Sequence, residues 1–551
     1  MHLSVLDLIY HRAGRVRVNP AISVFRDGEW TQLRFEDIQR SALHLSNFLI
    51  ESGIKSGDRI AILSESNPEF GVVFFAAIRA GAILVPLHPK LSADDLKLQV
   101  LDSAPKIMFA SKSCFELASS VVTGIETIGT VIVTDEPSSS GRDKTLQGVS
   151  THILKEGRER DLEETALTFY TAGVTGVPKG VMVTFNNLLS QAECLDRLFD
   201  VGKKDLFLSA VPMTQLTELT LGYLGVLFAG GQVCYLPDST FKAKIKALHK
   251  QKITYMITTA PFLNSMKNLI QKRLAKSSTQ KRLQFKMRFG LAKLLPRRAR
   301  RRLFPLVHDL IGAQFRSFIS SGAPLSRDLE YFLDTVGIDI CHGYGLAETS
   351  SLTSINSQEN FRMHSVGKPL PDIEVRLVGS KGIGDEGEVV TRGPHVMRGY
   401  YNRDDKTNIA IDSSGWLYTG DLGVFDEDGF LFINGRIKDL IHLMDGSKFY
   451  PQEVEQLILQ SDLIKEVCLV GIRDSSSFHH QEVVAVVVPE KKNQKISGIN
   501  KSVALLMQNL PALKNPSRIV ISNDALPRTH FGEIQRKLVL DWLKSHEAAN
   551  R

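Results

Sequence analysis

The stretch Thr168–Val183, T-F-Y-T-A-G-V-T-G-V-P-K-G-V-M-V, carries the residue types with the most evident chemistry. Apolar and β-branched residues lead into Gly173 and Gly176, then come Pro178, Lys179 and Gly180, and a second apolar run follows. Two strands flanking such a turn leave backbone N–H groups to face an anion, with threonine hydroxyls and one lysine alongside. That set of donors suits a polyphosphate. The spacing is not the common P-loop, which needs G-x-x-x-x-G-K-[ST] running into a helix; here Lys179 stands three residues after Gly176, with a proline before it. Taken alone, the same stretch fits a flexible surface hairpin.

The elements around it read as α/β. Phe35–Ser52 places Phe35, Ile38, Ala42, Leu45 and Leu49 at helical spacing before Gly53. Strands are expected at Arg59–Leu63, Ala82–Pro86, Ile107–Ala110 and Val131–Val133, with helices opening at Glu69 and after Ser92, which gives a mostly parallel sheet. Beyond the glycine-rich stretch come a helix at Asn187–Phe199, strands at Leu206–Pro212, Gln232–Leu236 and Tyr255–Thr258, and an apolar helix at Leu219–Gly230. Phe315–Ser321 and Ile338–His342 are further strands, each running into a turn. From Ile373 the texture becomes short strands between Gly/Asp turns, a β-rich and barrel-like subdomain. After Arg436 a compact α+β unit follows. The expected fold is therefore α/β: a large N-terminal domain (1–435) with two α/β sheet subdomains and a β-rich subdomain, then a small mobile α+β domain (436–551).

A chain of 551 residues exceeds a single core. Cys114, Cys194, Cys234, Cys341 and Cys468 are widely separated, so neither a disulfide framework nor a zinc site is supported and a reducing, cytoplasmic setting fits. The longest apolar stretch, Phe70–Leu87, contains Arg79, Gly81 and Pro86, so no membrane span is expected. The net charge of +7 is local: about 14 Lys and Arg and no Asp or Glu lie between Lys267 and Arg302, and the remainder is net acidic. A nucleic-acid surface is not implied. The segment fits either a solvated insertion or peripheral contact, through 267–302, with the anionic inner face of a membrane. Within it Leu283, Phe285, Met287 and Phe289 alternate with polar residues, which argues against a simple amphipathic helix, while Leu291–Leu295 suits a helix better.

Five stretches, in order, resemble the signatures of the adenylate-forming acyl-CoA synthetase and ligase superfamily. Thr168–Gly180 is similar to its Y-T-S-G-[ST]-T-G-x-P-K-G loop, His342–Thr349 (H-G-Y-G-L-A-E-T) to its Y-G-x-T-E motif, and Tyr418–Asp421 (Y-T-G-D) to its T-G-D. Gly435–Glu455 is similar to its G-R-x-K-D-x-I … P-x-E-[IV]-E hinge block, and Leu526–Lys537 to its closing P-R-T-x-x-G-K-I-x-R. Val211–Leu219 (V-P-M-T-Q-L-T-E-L) resembles bacterial long-chain fatty acyl-CoA and acyl-carrier-protein synthetases. The resemblance implies that a fatty acid attacks the α-phosphorus of ATP, giving acyl-adenylate and pyrophosphate. The thiol of coenzyme A or acyl carrier protein then takes the acyl group and AMP leaves. It also implies that the C-terminal domain rotates between the steps. On this resemblance Thr171, Gly173, Thr175, Gly176 and Lys179 cradle phosphates, and Thr171 and Glu348 hold Mg²⁺. Ser321, Gly322, Ala323, Tyr344 and Gly345 meet adenine, Asp421 takes the ribose hydroxyls, and Arg436 contacts ribose or phosphate. Gln215 and Gly343 line the acyl site and Lys438 marks the hinge.

The sequence departs from the pattern at four places. Ala172 and Val174 replace hydroxyl residues of the loop, Gln215 replaces a histidine, and Glu533 occupies the lysine position that bridges carboxylate and α-phosphate during adenylation. Arg528, Arg536 and Lys537 are the nearby cations. Three readings follow: an active ligase that tolerates Glu533, a nucleotide- or acyl-binding scaffold with crippled adenylation, or an enzyme that keeps only thioester formation.

Overall fold

The computed structural model describes residues 18–26, 29–129, 131–135, 160–171, 178–236, 238–443, 445, 447–473, 481–491, 494–508, 511, 514–528 and 534–549. Ala172, Gly173, Val174, Thr175, Gly176, the Ser/Gly-rich stretch Pro137–Asp143 and Glu533 lie outside these residues. The chain forms two compact units, Met1–Val375 with Thr391–Tyr418 and Asp428–Leu431, and Arg376–Val390 with Thr419–Glu427 and Phe432–Arg551.

In the first unit, a seven-stranded sheet runs in the order Gly399–Tyr400, Lys179–Thr184, Thr165–Thr171, Ile83–Leu87, Arg59–Leu63, Ile107–Ala110, Val131–Val133. Arg59–Leu63 pairs in parallel with both its neighbours, as the alternation of helices and strands predicts. The helices start where the sequence offers caps. Asn67 Oδ1 accepts from Phe70 N at 2.9 Å ahead of Pro68–Ala80, and Ser92 Oγ accepts from Asp95 N at 3.1 Å ahead of Ala93–Ser103. A nine-stranded sheet holds the parallel strands Gln232–Tyr235, Leu206–Leu208, Tyr255–Thr258, Ser317–Ser320 and Ile340–Tyr344 side by side. In an open parallel sheet ligands bind beyond the carboxyl ends of the strands. Those ends lead here into Ser321, Gly345 and the segment containing Gln215.

Three elements differ from the sequence expectation. The strand at 206 ends at Leu208, and the expected helix at Leu219–Gly230 is wound as a π-helix over Glu218–Gly225 with every residue buried. Gly222 leaves room for the Glu218 side chain within it: an added Cβ would come within 2.9 Å of the Glu218 carboxyl carbon. The alternating segment is a helix, Thr279–Ala292. Its odd-numbered apolar residues form two stripes at i, i+4 spacing, which a period-two count cannot distinguish from a strand. Phe285 and Phe289 pack on Phe304, at 5.2 and 6.5 Å between ring centroids, while Leu283 and Met287 face outward. The arginine run after it is not a free patch. Arg297 and Arg300 both pair with the buried Asp334, and Arg297 stacks 3.5 Å from the Phe361 ring centroid. Arg301 donates to Phe315 O and Ala313 O at 2.7 and 2.8 Å. Among the described residues no helix is long and apolar enough to cross a membrane.

The second unit contains a three-stranded sheet, Ile464–Arg473, Gln481–Pro489 and Arg518–Ile521, with the helices Pro451–Ile458, Ile496–Met507 and Arg536–Ala549. The valines of its middle strand alternate by face. Val483 and Val487 join the core of Val454, Ile458 and Ile499, and Val484 and Val486 join that of Val539 and Leu543. Glu455 is buried where helix meets sheet, accepts from Leu469 N at 2.7 Å and pairs with Arg536 Nη1 at 2.5 Å. Burial works to lower the Arg536 pKa, but the negative groups around it, Glu455 foremost, together raise it further. Truncating one member of such a pair strands the other charge, at a cost of about 3–5 kcal/mol. Arg536→Ala is expected to destabilise this unit by that amount in urea unfolding, with Arg536→Lys losing less; an unchanged midpoint in the alanine variant contradicts it.

Candidate active site

Thr165–Thr171 and Lys179–Thr184 are paired antiparallel, with Thr171 opposite Lys179, as expected of the two strands that flank the glycine-rich stretch. Gly180 is needed at the base of this hairpin, because a Cβ there would stand 2.7 Å from Thr168 Cγ2. Tyr170, just before Thr171, donates its hydroxyl to Asp102 at 2.7 Å, and Arg403 Nη2 pairs with the same carboxylate at 3.1 Å. The strand entering the loop is thereby fixed to the helix behind it.

Glu348 lies on a 3₁₀ turn, Ala347–Thr349, directly after the strand Ile340–Tyr344. Its Oε1 accepts from the Tyr400 hydroxyl at 2.8 Å, and Met397 N donates to its backbone carbonyl at 2.9 Å. Lys179 Nζ sits 4.8 Å from the centroid of the same Tyr400 ring. Tyr400 therefore links the lysine of the hairpin to the carboxylate of the distant turn. Burial and the adjoining Glu348 charge push the phenol well above its ordinary pKa, so it serves as a neutral donor. Sequence reasoning missed Tyr400, since an aromatic residue in R-G-Y-Y-N-R has nothing to mark it before the edge strand Gly399–Tyr400 is seen beside Lys179–Thr184.

A hydroxyl chain gathers the next group. Ser351 Oγ donates to Thr217 Oγ1 at 3.1 Å, and Thr217 Oγ1 lies 3.2 Å from Ser321 Oγ. This brings the Ser321, Gly322 and Ala323 turn next to the segment carrying the half-buried Gln215. Tyr344 is buried and accepts at its carbonyl from Thr353 N at 2.7 Å. Gly345 allows the chain to pass close to Ser351, whose carbonyl oxygen would be 1.7 Å from an added Cβ, and Gly343 pairs with Ile355 in the sheet.

Glu218 is the unexpected acid of this unit. It is 1% exposed, its Oε2 finds no hydrogen-bond partner among the described residues, and burial raises its pKa from 4.5 to about 8. Between those two values the folded chain holds one proton more than the unfolded chain, so stability falls as pH rises through the window. Glu218→Gln is expected to flatten that fall, read as urea midpoints of the first unit at points across the window; parallel declines in the two proteins contradict it.

In the second unit Asp421 and Arg436 come together, Arg436 Nε lying 3.4 Å from the buried Asp421 Oδ1. Asp421 N donates to Thr419 Oγ1 at 3.1 Å, and Thr419 donates to Val389 O at 2.7 Å, which fixes the turn before the acid. Lys438 is exposed on the 3₁₀ turn Ile437–Asp439. Of the cations near position 533, Arg536 is held by Glu455, and Arg528 Nη2 pairs with Glu466 at 3.0 Å.

Magnesium can be tested against the donors present. Thr171 and Glu348 offer hard oxygen ligands, which suit it. Among the described residues no group of three or more His, Cys, Asp or Glu could hold an ion unaided. An ion here would take its remaining ligands from water and substrate phosphates, as Mg²⁺ commonly does.

The chain thus combines two α/β sheets and a small α+β unit with a tyrosine, Tyr400, that links Lys179 to Glu348. Residues 11–401 match the AMP-binding enzyme family and residues 453–533 its C-terminal domain. The chain belongs to this family, the adenylate-forming acyl-CoA ligases. It is 27% identical to the long-chain-fatty-acid–CoA ligase of Salmonella typhimurium, covering 98% of this chain and 94% of that one. Identity to the medium-chain fatty-acid–CoA ligase of Escherichia coli is 27% (93% and 86% covered), and to the oxalate–CoA ligase of Arabidopsis thaliana 28% (94% of each). The fold is shared with ATP-bound MatB from Rhodopseudomonas palustris, at TM-score 0.78 and 23% identity over 99% of both chains. It is shared also with o-succinylbenzoate coenzyme A synthetase from Bacillus subtilis in complex with ATP and magnesium ion, at TM-score 0.77 and 22% identity over 97% and 99%.

Proposed function

We propose that this protein activates a long-chain fatty acid with ATP and transfers it to a thiol, coenzyme A or acyl carrier protein, releasing pyrophosphate and AMP. The observation that carries the reading is the Lys179–Tyr400–Glu348 arrangement at the mouth of the glycine-rich hairpin. In the first half-reaction a carboxylate oxygen bonds to the α-phosphorus as pyrophosphate departs; an ionised acid needs no general base, so positioning and charge carry the work. Lys179, Thr171 and the loop residues Gly173, Thr175 and Gly176 would hold the β- and γ-phosphates. Glu348 and Thr171 would hold Mg²⁺, which supplies charge neutralisation at the phosphates when bound. Tyr344, Gly345 and the Ser321–Gly322–Ala323 turn would meet adenine, and Asp421, an acceptor when ionised, would take the ribose hydroxyls with Arg436 beside it. Gln215 and Gly343 would line the acyl site. In the second half-reaction the thiol sulfur bonds to the acyl carbon and AMP leaves. A C-terminal domain of 436–551, turning about Lys438, would present a different face for each step. Five buried free thiols suit a cytoplasmic setting.

The long-chain assignment rests on Val211–Leu219, and the named relatives include an oxalate ligase as well as fatty-acid ligases. Pyrophosphate release from ATP across a panel of acids tests it: long-chain acids are expected to give the highest kcat/KM, and preference for oxalate, acetate or an aromatic acid contradicts it. A second reading has its own observation. With Glu533 at the bridging position and Arg536 and Arg528 committed to Glu455 and Glu466, the chain would either bind nucleotide and acyl groups as a scaffold or form thioester without adenylating.

A further inference from the structure

Leu283, Met287, Leu291 and Leu294 form a row one turn apart along the helix Thr279–Ala292 and the turn that follows it, and they are 58%, 60%, 50% and 82% exposed. Phe285, Phe289 and Ala292, on the other side of the same helix, are seated against Phe304 and Phe332, so the outward row is surplus to the packing of this unit. A solvated helix face ordinarily carries polar residues, and a contiguous row of large apolar side chains marks a surface that something covers.

The charges beside the row say what covers it. Lys286 and Lys293 are exposed next to it, Arg282 lies one turn before Lys286, and no acid occurs anywhere between Lys267 and Arg302. A second copy of the same face would set Arg282, Lys286 and Lys293 against the same three cations with no acid between them, which opposes self-association. An apolar stripe bordered by lysines is instead the pattern of a helix lying in the plane of an anionic bilayer.

We propose that the helix Thr279–Ala292 docks the protein on an anionic lipid surface, with Leu283, Met287, Leu291 and Leu294 among the acyl chains and Lys286 and Lys293 at the headgroup phosphates. The docking face is therefore not the arginine run at 297–302, whose Arg297, Arg300 and Arg301 hold the segment to Asp334, Phe315 and Ala313. This surface stands apart from the ligase reading, and its test needs neither ATP nor an acid.

The experiment is flotation of the full chain with vesicles of phosphatidylcholine alone or mixed with phosphatidylglycerol. Binding is expected only to the mixed vesicles and is expected to weaken as salt is raised. The Leu283→Ser, Met287→Ser, Leu291→Ser, Leu294→Ser variant is expected to bind on the order of tenfold or more weakly, as is Lys286→Glu with Lys293→Glu. These positions are exposed, so thermal unfolding of both variants should match the wild type. Because the five native cysteines are buried, Met287→Cys can carry a single polarity-sensitive fluorophore, whose emission should shift to the blue on mixed vesicles. Equal binding to neutral vesicles, full binding by the serine variant, or an unshifted probe overturns the proposal. So does a concentration-dependent dimer that the serine variant abolishes while vesicle binding is nil.

Discussion

Replacing Glu533 with lysine is expected to raise carboxylate-dependent pyrophosphate release by at least about a thousandfold. The attacking group and the α-phosphate are both anionic, and on the family resemblance the residue at this position stands between them. One attraction at about 4 Å, at an effective dielectric near 20, amounts to about 4 kcal/mol, and a carboxylate there opposes the step by a similar amount. Losing the attraction alone corresponds to roughly a thousandfold in rate. Two of the three neighbouring cations are committed elsewhere: Arg536 is bound by Glu455 and the carbonyl of Leu469, and Arg528 by Glu466. The measurement compares the wild type with Glu533→Lys on the same acid. An active wild type with a faster variant supports a ligase that tolerates Glu533. A silent wild type with a rescued variant moves the function to thioester formation or binding, and thiol-dependent consumption of supplied acyl-AMP then separates those two. Equal rates would show that residue 533 does not face the reacting groups, and the assignment of its position would fall.

The parts of this molecule that the sequence announced are those whose cause is local. Asn67 and Ser92 cap helices through their own side chains, Gly180 is a close approach within one hairpin, and the alternating valines of Gln481–Pro489 split between two faces as strand geometry requires. What stayed hidden depends on segments far apart in sequence. Tyr400 became part of the site only because its short strand pairs with Lys179–Thr184. The fate of Arg297 and Arg300 depends on Asp334, and a count of local charge had no means of finding that partner. The two apolar stripes of Thr279–Ala292 imitated strand alternation because both stripes have even spacing, so periodicity alone gave an ambiguous answer there. Glu218 reads as one more acid in a polar run until the π-helix places it inside.

Glu348→Gln is expected to lower turnover by about 10²–10³-fold, in the wild type or, if that is silent, in the Glu533→Lys background. The substitution keeps an oxygen that can accept from the Tyr400 hydroxyl, now 2.8 Å away, so local geometry should survive while the negative charge is lost. Charge is what a divalent cation requires from a site with so few protein ligands. The Mg²⁺ concentration giving half-maximal rate should therefore rise in Glu348→Gln. Tyr400→Phe provides the contrast. It retains the ring beside Lys179 Nζ and removes only one hydrogen bond to Glu348, worth about 1.5–3 kcal/mol when the acceptor is charged. Its loss should be smaller, about tenfold to a hundredfold, with the Mg²⁺ dependence shifted less than in Glu348→Gln. If the two variants move the Mg²⁺ dependence alike, Glu348 acts only through its bond to Tyr400 and holds no ion. If Glu348→Gln keeps full rate at low Mg²⁺, the carboxylate lies outside the reacting site altogether.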